Sequence, residues 1–287
     1  MARSLAALIA AGVALGALTA GCGSGDSGSG EPTPALTAAE QETLRQASER
    51  LIAQCMHAHG FAYAEQPPPV EDRQFRYVLD DVGYAREHGY GALTGRRDET
   101  AHDVNDGNLA ALSPARRKAW QYRLMGAGNQ LTVDLPDAGR LSAPDNGCRA
   151  ESHRTLFGDL QGWYRARRIV DHVDNYVAGQ VTRAPEYVTA LSEWGACVRA
   201  HGYAASTPQE LRALVTTELP GPPAAPEIHA AETEAGCAVT TGFTGTVGAL
   251  DQRYRPDAER RFTTEINTLH RYERTALPTA GQILAES

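Results

Sequence analysis

The sequence holds no G-x-S-x-G elbow, no H-E-x-x-H, no P-loop, no G-x-G-x-x-G following a strand and no C-x-x-C pair. Each missing pattern removes a chemistry that depends on it: serine acyl transfer at a strand–helix turn, helix-borne zinc hydrolysis, phosphate cradling, vicinal dithiol exchange. Lysine is almost absent, with Lys118 alone beside the many arginines, which reflects genome composition more than function. With 27 basic and 35 acidic residues the net charge is −8. An acidic chain repels a phosphate backbone, so no nucleic-acid partner is expected. The arginine clusters, Arg165-Arg167-Arg168 and Arg253-Arg255-Arg260-Arg261, alternate with acids and read as solvated helix faces.

Against these absences stands one repeated stretch. Cys55-Met56-His57-Ala58-His59-Gly60-Phe61 returns as Cys197-Val198-Arg199-Ala200-His201-Gly202-Tyr203. Each copy has a later partner, Asn146-Gly147-Cys148 for the first and Ala235-Gly236-Cys237 for the second. Upstream of Cys55, the residues Leu44, Ala47, Leu51 and Ile52 keep the three- and four-residue spacing of one helical face. Gly60 then fits the left-handed residue that ends a helix, and Phe61 can fold back on Met56. Gly202, Tyr203 and Val198 take the same parts. His59 and His201 fall at the cap, where an imidazole meets unpaired carbonyls and the negative end of the helix dipole.

A metal site is the competing reading of the same residues. Cys55 and His59 share a helix face, one turn apart, but His57 points elsewhere, and Arg199 replaces it in the second copy. His57, His59 and His229 are therefore secondary candidates as metal ligands, and no cofactor or metal is expected.

Long apolar runs are scarce. One, from Leu5 to Ala20, follows Arg3 and precedes Gly21-Cys22. It is short for a membrane-spanning helix of about 20 residues and has the form of a secretory signal. Its end, Leu18-Thr19-Ala20-Gly21-Cys22, resembles a bacterial lipobox, in which the cysteine is acylated and becomes the first mature residue. Gly23 to Gly30 alternates glycine with serine or aspartate, a flexible tether. Two or more acyl chains hold a protein firmly to a bilayer. Reserving Cys22 for lipid leaves four of the five cysteines, an even number suited to an oxidising compartment. Three connectivities are open; the repetition favours Cys55–Cys148 and Cys197–Cys237, each contributing about 4–5 kcal/mol by chain entropy before strain. Four buried free thiols are the alternative.

The expected organisation is a signal at 1–21, a tether at 22–36, a helical unit at 37–183 and a second helical unit at 184–287. Thr37 and Glu40 form a capping box for a helix from about Ala38 to His59. The first unit carries a loop-rich insertion at 61–146. It holds Pro67-Pro68-Pro69, a short helix ending at His88-Gly89-Tyr90, a helix opened by Ser113-Pro114 and an alternating stretch, Leu131 to Leu135, fit for a hairpin. One long helix is expected from Cys148 to Val181, with Gly158 and Gly162 as weak points. Glu186 to His201 is the next. Thr207-Pro208 opens a short helix that Pro220-Gly221-Pro222-Pro223 ends. A second long helix runs from Pro226 to about Ala276, with interruption placed at Thr240–Gly248 or Pro256. The fold expected is all-α, a helical bundle of two disulfide-stapled pseudo-repeats.

The lipobox and tether, the cysteine-histidine-glycine-aromatic stops, Ala85-Arg86-Glu87-His88-Gly89-Tyr90-Gly91, Leu112-Ser113-Pro114-Ala115 and Gly147-Cys148 together resemble a group of uncharacterised secreted lipoproteins of high-GC Gram-positive bacteria. The resemblance covers most of the mature chain. It implies location and architecture and lends no activity.

Three weaker constellations remain. Asp171-His172 with Asp174, and Glu227, His229 and Glu232, lie in charge-rich helical segments that read as solvated faces. Tyr84, Tyr90, Trp120 and Tyr122 could line a groove for glycan or peptide, although such residues more commonly belong to a core. The function expected is a non-enzymatic binding or scaffold lipoprotein at the outer face of the cytoplasmic membrane. Its partners would be that membrane and an unknown envelope protein, peptide or glycan. A metal-handling protein using Cys55, His57 and His59 is the alternative, and a cell-wall enzyme a further one.

Overall fold

The structure, a computed structural model, describes residues 32–68, 75–91, 103–215 and 223–286. The signal segment, Cys22, most of the tether, Pro69 and Pro220-Gly221-Pro222 lie outside the described residues. Among these described residues eleven helices and one two-stranded sheet follow in order: α1 (Ala38–Ala58), α2 (Val82–His88), α3 (Asp106–Ala110), α4 (Pro114–Met125), β1 (Leu131–Leu135), β2 (Gly139–Ala143), α5 (Cys148–Phe157), α6 (Leu160–Arg183), α7 (Pro185–Ala200), α8 (Pro208–Val215), α9 (Ala225–Thr240), α10 (Phe243–Arg261) and α11 (Thr263–Ala285). The all-α expectation holds. Among the described residues no helix is long and apolar enough to cross a membrane.

α1 begins as its sequence requires. The Thr37 hydroxyl accepts from the Glu40 N–H and the Glu40 carboxylate accepts from the Thr37 N–H at 2.7 Å, closing a capping box. It ends as a Schellman turn: Phe61 N–H donates to Met56 O at 3.0 Å and Gly60 N–H to His57 O at 2.9 Å, with Gly60 at φ +73°. α7 repeats that ending through Tyr203 to Val198 and Gly202 to Arg199, with Gly202 at φ +91°. The duplicated motif is thus a duplicated helix stop.

Both long helices of the sequence reading are divided. The first breaks at Gly158, which adopts φ +70°; α5 stops at Phe157, and Asp159 restarts the chain as α6 by accepting the Gly162 N–H at 2.9 Å. A glycine and an N-capping aspartate outweigh the unbroken apolar spacing. The second breaks at left-handed Gly242 and again at Phe262, while Pro256 lies inside α10 and Pro278 inside α11. Phe262 is buried edge-on to Tyr176 at 5.3 Å, so packing against α6 sets this stop. α3 was not expected in the polar loop.

α6 is the spine. Its apolar stripe, including Trp163, Ile169, Val173 and Val177, packs against α10, α11 and β1. β1 pairs antiparallel with β2 in the register Leu131↔Ala143 and Val133↔Leu141, and Leu131 and Val133 face α6. The insertion is shared between the copies. Phe61, Tyr63, Trp120 and Leu124 pack with Ile52, Met56 and Cys148 of the first copy. Phe75, Leu79, Ala85 and Tyr90 pack instead with Trp194, Leu211 and Phe243 of the second. Residues 33–287 accordingly form one compact unit.

Candidate functional site

Two disulfides join the copies' cysteines consecutively, Cys55 to Cys148 and Cys197 to Cys237. Each ties the last turn of one helix to a later one: α1 to the start of α5, and α7 to α9. In both, the first sulfur's residue is half-buried and the second's is buried. Their surroundings differ. Glu151 Oε2 lies 3.3 Å from Cys55 Sγ, whereas His201 Nδ1 lies 4.0 Å from Cys197 Sγ and 3.8 Å from Cys237 Sγ. His201 Nδ1 also bonds Cys197 O at 2.9 Å, a cap bond made by the ring as well as the backbone.

The histidines expected as secondary metal candidates do not assemble. His57 Nε2 meets Tyr63 O at 3.0 Å and pins the chain after the stop. His59 borders a small hollow beside Phe61 and α4. His229 stands edge-on to Tyr203 at 6.4 Å, on α9. Among the described residues the donors that do converge are Cys197, His201 and Cys237, within 4.8 Å of one another.

The acid–histidine sets also disperse. Asp171 pairs with Arg167 and Arg168, Asp174 with Arg76 and Arg255, and buried His172 bonds Pro136 O at 2.9 Å. Glu232 pairs with Arg86 on the surface. Glu227 corrects the solvated-face reading: it is 1 % exposed and accepts the Tyr90 N–H at 3.2 Å. Two turns on, Glu234 is fully buried; it accepts the Leu79 N–H at 2.8 Å and is held by Arg212, with Nε to Oε2 at 3.2 Å. Burial raises the Glu234 carboxyl, opposed by the Arg212 guanidinium. Burial, and then the Glu234 charge, raises the Tyr90 phenol. Sequence reading missed Glu234 because its heptad spacing from Glu227 looks the same on a wet face as on a buried one.

The aromatics grouped as a groove are mostly core. Tyr90 and Trp120 are buried, and Trp120 Nε1 donates to Ala62 O at 3.1 Å. Tyr84 packs on Phe75 and His88, and Tyr122 alone is exposed. Helical phase turns Trp120 inward on α4 and Tyr122 outward, whereas Tyr90 lies past the end of α2 and is held inward by its N–H bond to Glu227.

A larger concavity lies elsewhere, between α1, α5, α6 and α11, with a volume of about 650 Å³. One wall is aromatic. Phe157 and Trp163 stack at 4.6 Å with planes 4° apart, and His153 lies 4.3 Å from Trp163. Burial, assisted by Arg149, Arg168 and Arg167, lowers His153 to about 4, so the ring is neutral at pH 7. The buried Trp163 indole N–H meets no acceptor among the described residues. The other walls carry both signs of charge: Arg45 with Glu42, and Arg167 3.6 Å from Glu273. The Arg45 hydrogen bond brings Glu42 down to about 2, while burial raises Glu273. The cleft borders the start of the described chain. Leu36 lines it, His270 Nδ1 bonds Thr33 O at 2.8 Å, and Arg274 donates to Pro34 O and Ala35 O. Such an arrangement can stack a planar or ring-bearing group and pair its charges. No family model, curated protein or solved structure matches the chain.

Proposed function

We propose that this chain is a lipid-anchored, extracytoplasmic binding protein. Cys22 carries the acyl chains that hold it to the outer face of the cytoplasmic membrane, and the stapled helical body receives an envelope peptide or glycan. The observation that carries the reading is the cleft between α1, α5, α6 and α11, aromatic on one wall and charged with both signs on the others. The two disulfides agree with an oxidising compartment. The lipobox-like ending at Cys22 and the glycine-serine tether support the anchor.

Two measurements test it. Membrane fractions should release the protein to the supernatant when Cys22 is replaced by alanine, and the intact mass of the wild type should include acyl chains. Disaccharide-peptide fragments released from peptidoglycan should bind the purified chain, and Arg167→Ala with Trp163→Phe should weaken them at least tenfold. An unacylated Cys22 defeats the anchor. Undiminished binding in the double variant, or no binding, defeats the cleft.

A further inference from the structure

We infer that Cys197, His201 and Cys237 form a two-cysteine, one-histidine site for a d10 cation, closed while the disulfide is intact and opened by its reduction. This goes beyond the proposed cleft and does not depend on it.

The argument starts from a comparison inside the molecule. The two staples come from one repeated motif, and their residues match in burial, Cys55 and Cys197 half-buried, Cys148 and Cys237 buried. Among the described residues only the second has an imidazole nitrogen near both sulfurs, at 3.8 and 4.0 Å; the first has a carboxylate oxygen at 3.3 Å from Cys55. His59, the counterpart of His201, joins no converging donor set among the described residues. The second staple is thus the one whose reduced form presents two sulfurs and a nitrogen together.

The spacing suits the ion. In a tetrahedral zinc site with Zn–S of about 2.3 Å and Zn–N of about 2.0 Å, nitrogen and sulfur ligands stand about 3.6 Å apart. The nitrogen–sulfur separations already approach that edge. His201 is exposed, so an ion reaches Nδ1 without opening the core. On binding, Nδ1 exchanges its bond to Cys197 O for the metal and the ring takes the other tautomer, keeping its proton on Nε2, whose N–H donates to water. Solvent fills the fourth position.

Reduction is balanced by an external dithiol. One of its thiolates attacks Cys197 Sγ, the half-buried sulfur; the Sγ–Sγ bond breaks, and its electron pair leaves on Cys237 Sγ beside His201. The reductant's second thiolate then displaces Cys197 and departs as its own disulfide. A ring N–H close to the sulfur donates to the leaving thiolate, and a carboxylate repels it. Each freed thiolate takes a proton from water, and binding of Zn2+ to the two sulfurs and His201 Nδ1 then releases those two protons.

The test uses the purified full chain, anaerobic, with and without phosphine reduction, titrated with Zn2+ against a chromophoric chelator. The oxidised chain should take up none tightly and the reduced chain one equivalent. Zn2+ should shield Cys197 and Cys237 from alkylation and leave Cys55 and Cys148 open. His201→Ala should weaken binding at least tenfold, His59→Ala should not, and reoxidation should expel the ion. The inference is overturned by equal affinity in His201→Ala, by equal shielding of all four cysteines, or by a reduced chain that binds no zinc. Loss of the helical circular dichroism on reduction also overturns it, because the site needs α7 and α9 held together.

Discussion

The backbone N–H of Leu79 donates to Glu234 Oε1 at 2.8 Å, across 155 residues of sequence. The insertion of the first copy is thereby fastened to α9 of the second, and Glu227 repeats the arrangement with Tyr90 N–H. Arg212 is 16 % and Glu234 0 % exposed at the side chain, so removing the acid takes away both the acceptor of the Leu79 amide and the buried carboxylate that holds the guanidinium.

Glu234→Ala should therefore cost about 3–5 kcal/mol in urea unfolding, the range for breaking a buried ion pair. Glu232→Ala, which breaks a surface pair with Arg86, should cost about 1 kcal/mol or less. Equal effects would show that burial of Glu234 is not what matters.

Stability should fall in acid partly through His153. Its folded value of about 4 lies below the ordinary 6.5, so the unfolded chain takes up the proton first. The contribution is complete above pH 6.5 and is lost as the pH falls toward 4. It is on the order of 3 kcal/mol. His153→Phe, which keeps a ring against Trp163, should flatten the stability-against-pH curve in that window. An unchanged curve would assign the acid sensitivity elsewhere.

The helix stops can be ranked. A side chain added at Gly60 or Gly202 meets nothing within 4 Å, so Gly60→Ala should cost only the left-handed backbone, roughly 1–2 kcal/mol. Gly60→Asn should cost less. A side chain at Gly147, at φ +88°, would sit 2.4 Å from Gly126 N, and Gly147→Ala should cost more than either. Thermal unfolding of the three variants orders them.

The staples should differ in two ways. Removing either pair by Cys→Ser should cost about 2–5 kcal/mol. With separations of 93 and 40 residues, the first should be worth more by only about 0.7 kcal/mol of loop entropy. Graded dithiol should nonetheless open Cys197–Cys237 first, and Glu151→Gln should speed opening of Cys55–Cys148. Mass spectrometry after alkylation reads both, and simultaneous opening would defeat the electrostatic account.

Much of the fold was legible because it is written in local signals. Thr37 with Glu40, Ser113-Pro114 and the glycine-aromatic stops each state their own geometry within a few residues, and the repeated order of cysteines states the pairing. Gly158 was visible as a weak point, but the decision to break there also rests on Asp159 as a cap. Phe262 ends α10 with no glycine or proline, through a contact with Tyr176 that no local pattern reveals. The cleft and the Glu234–Leu79 bond were illegible for the same reason: they join α1 to α11, and residue 79 to residue 234, through tertiary placement. The imidazole beside the second disulfide was half-legible. The motif puts His201 one turn from Cys197, but not beside Cys237.

The pairing of neighbouring cysteines bears on how the chain is made. A polypeptide that emerges amino end first exposes Cys55, then Cys148, and only later Cys197 and Cys237. Each native pair therefore joins a cysteine to the next one made, and neither loop encloses the other. The first ring can be sealed before the third thiol exists to compete for it. Assembly by order of arrival requires no bond to be undone and makes little demand on an isomerase. Residues 75–91 must wait, unfastened, until α9 appears to receive them, and α1 waits longer still for α11.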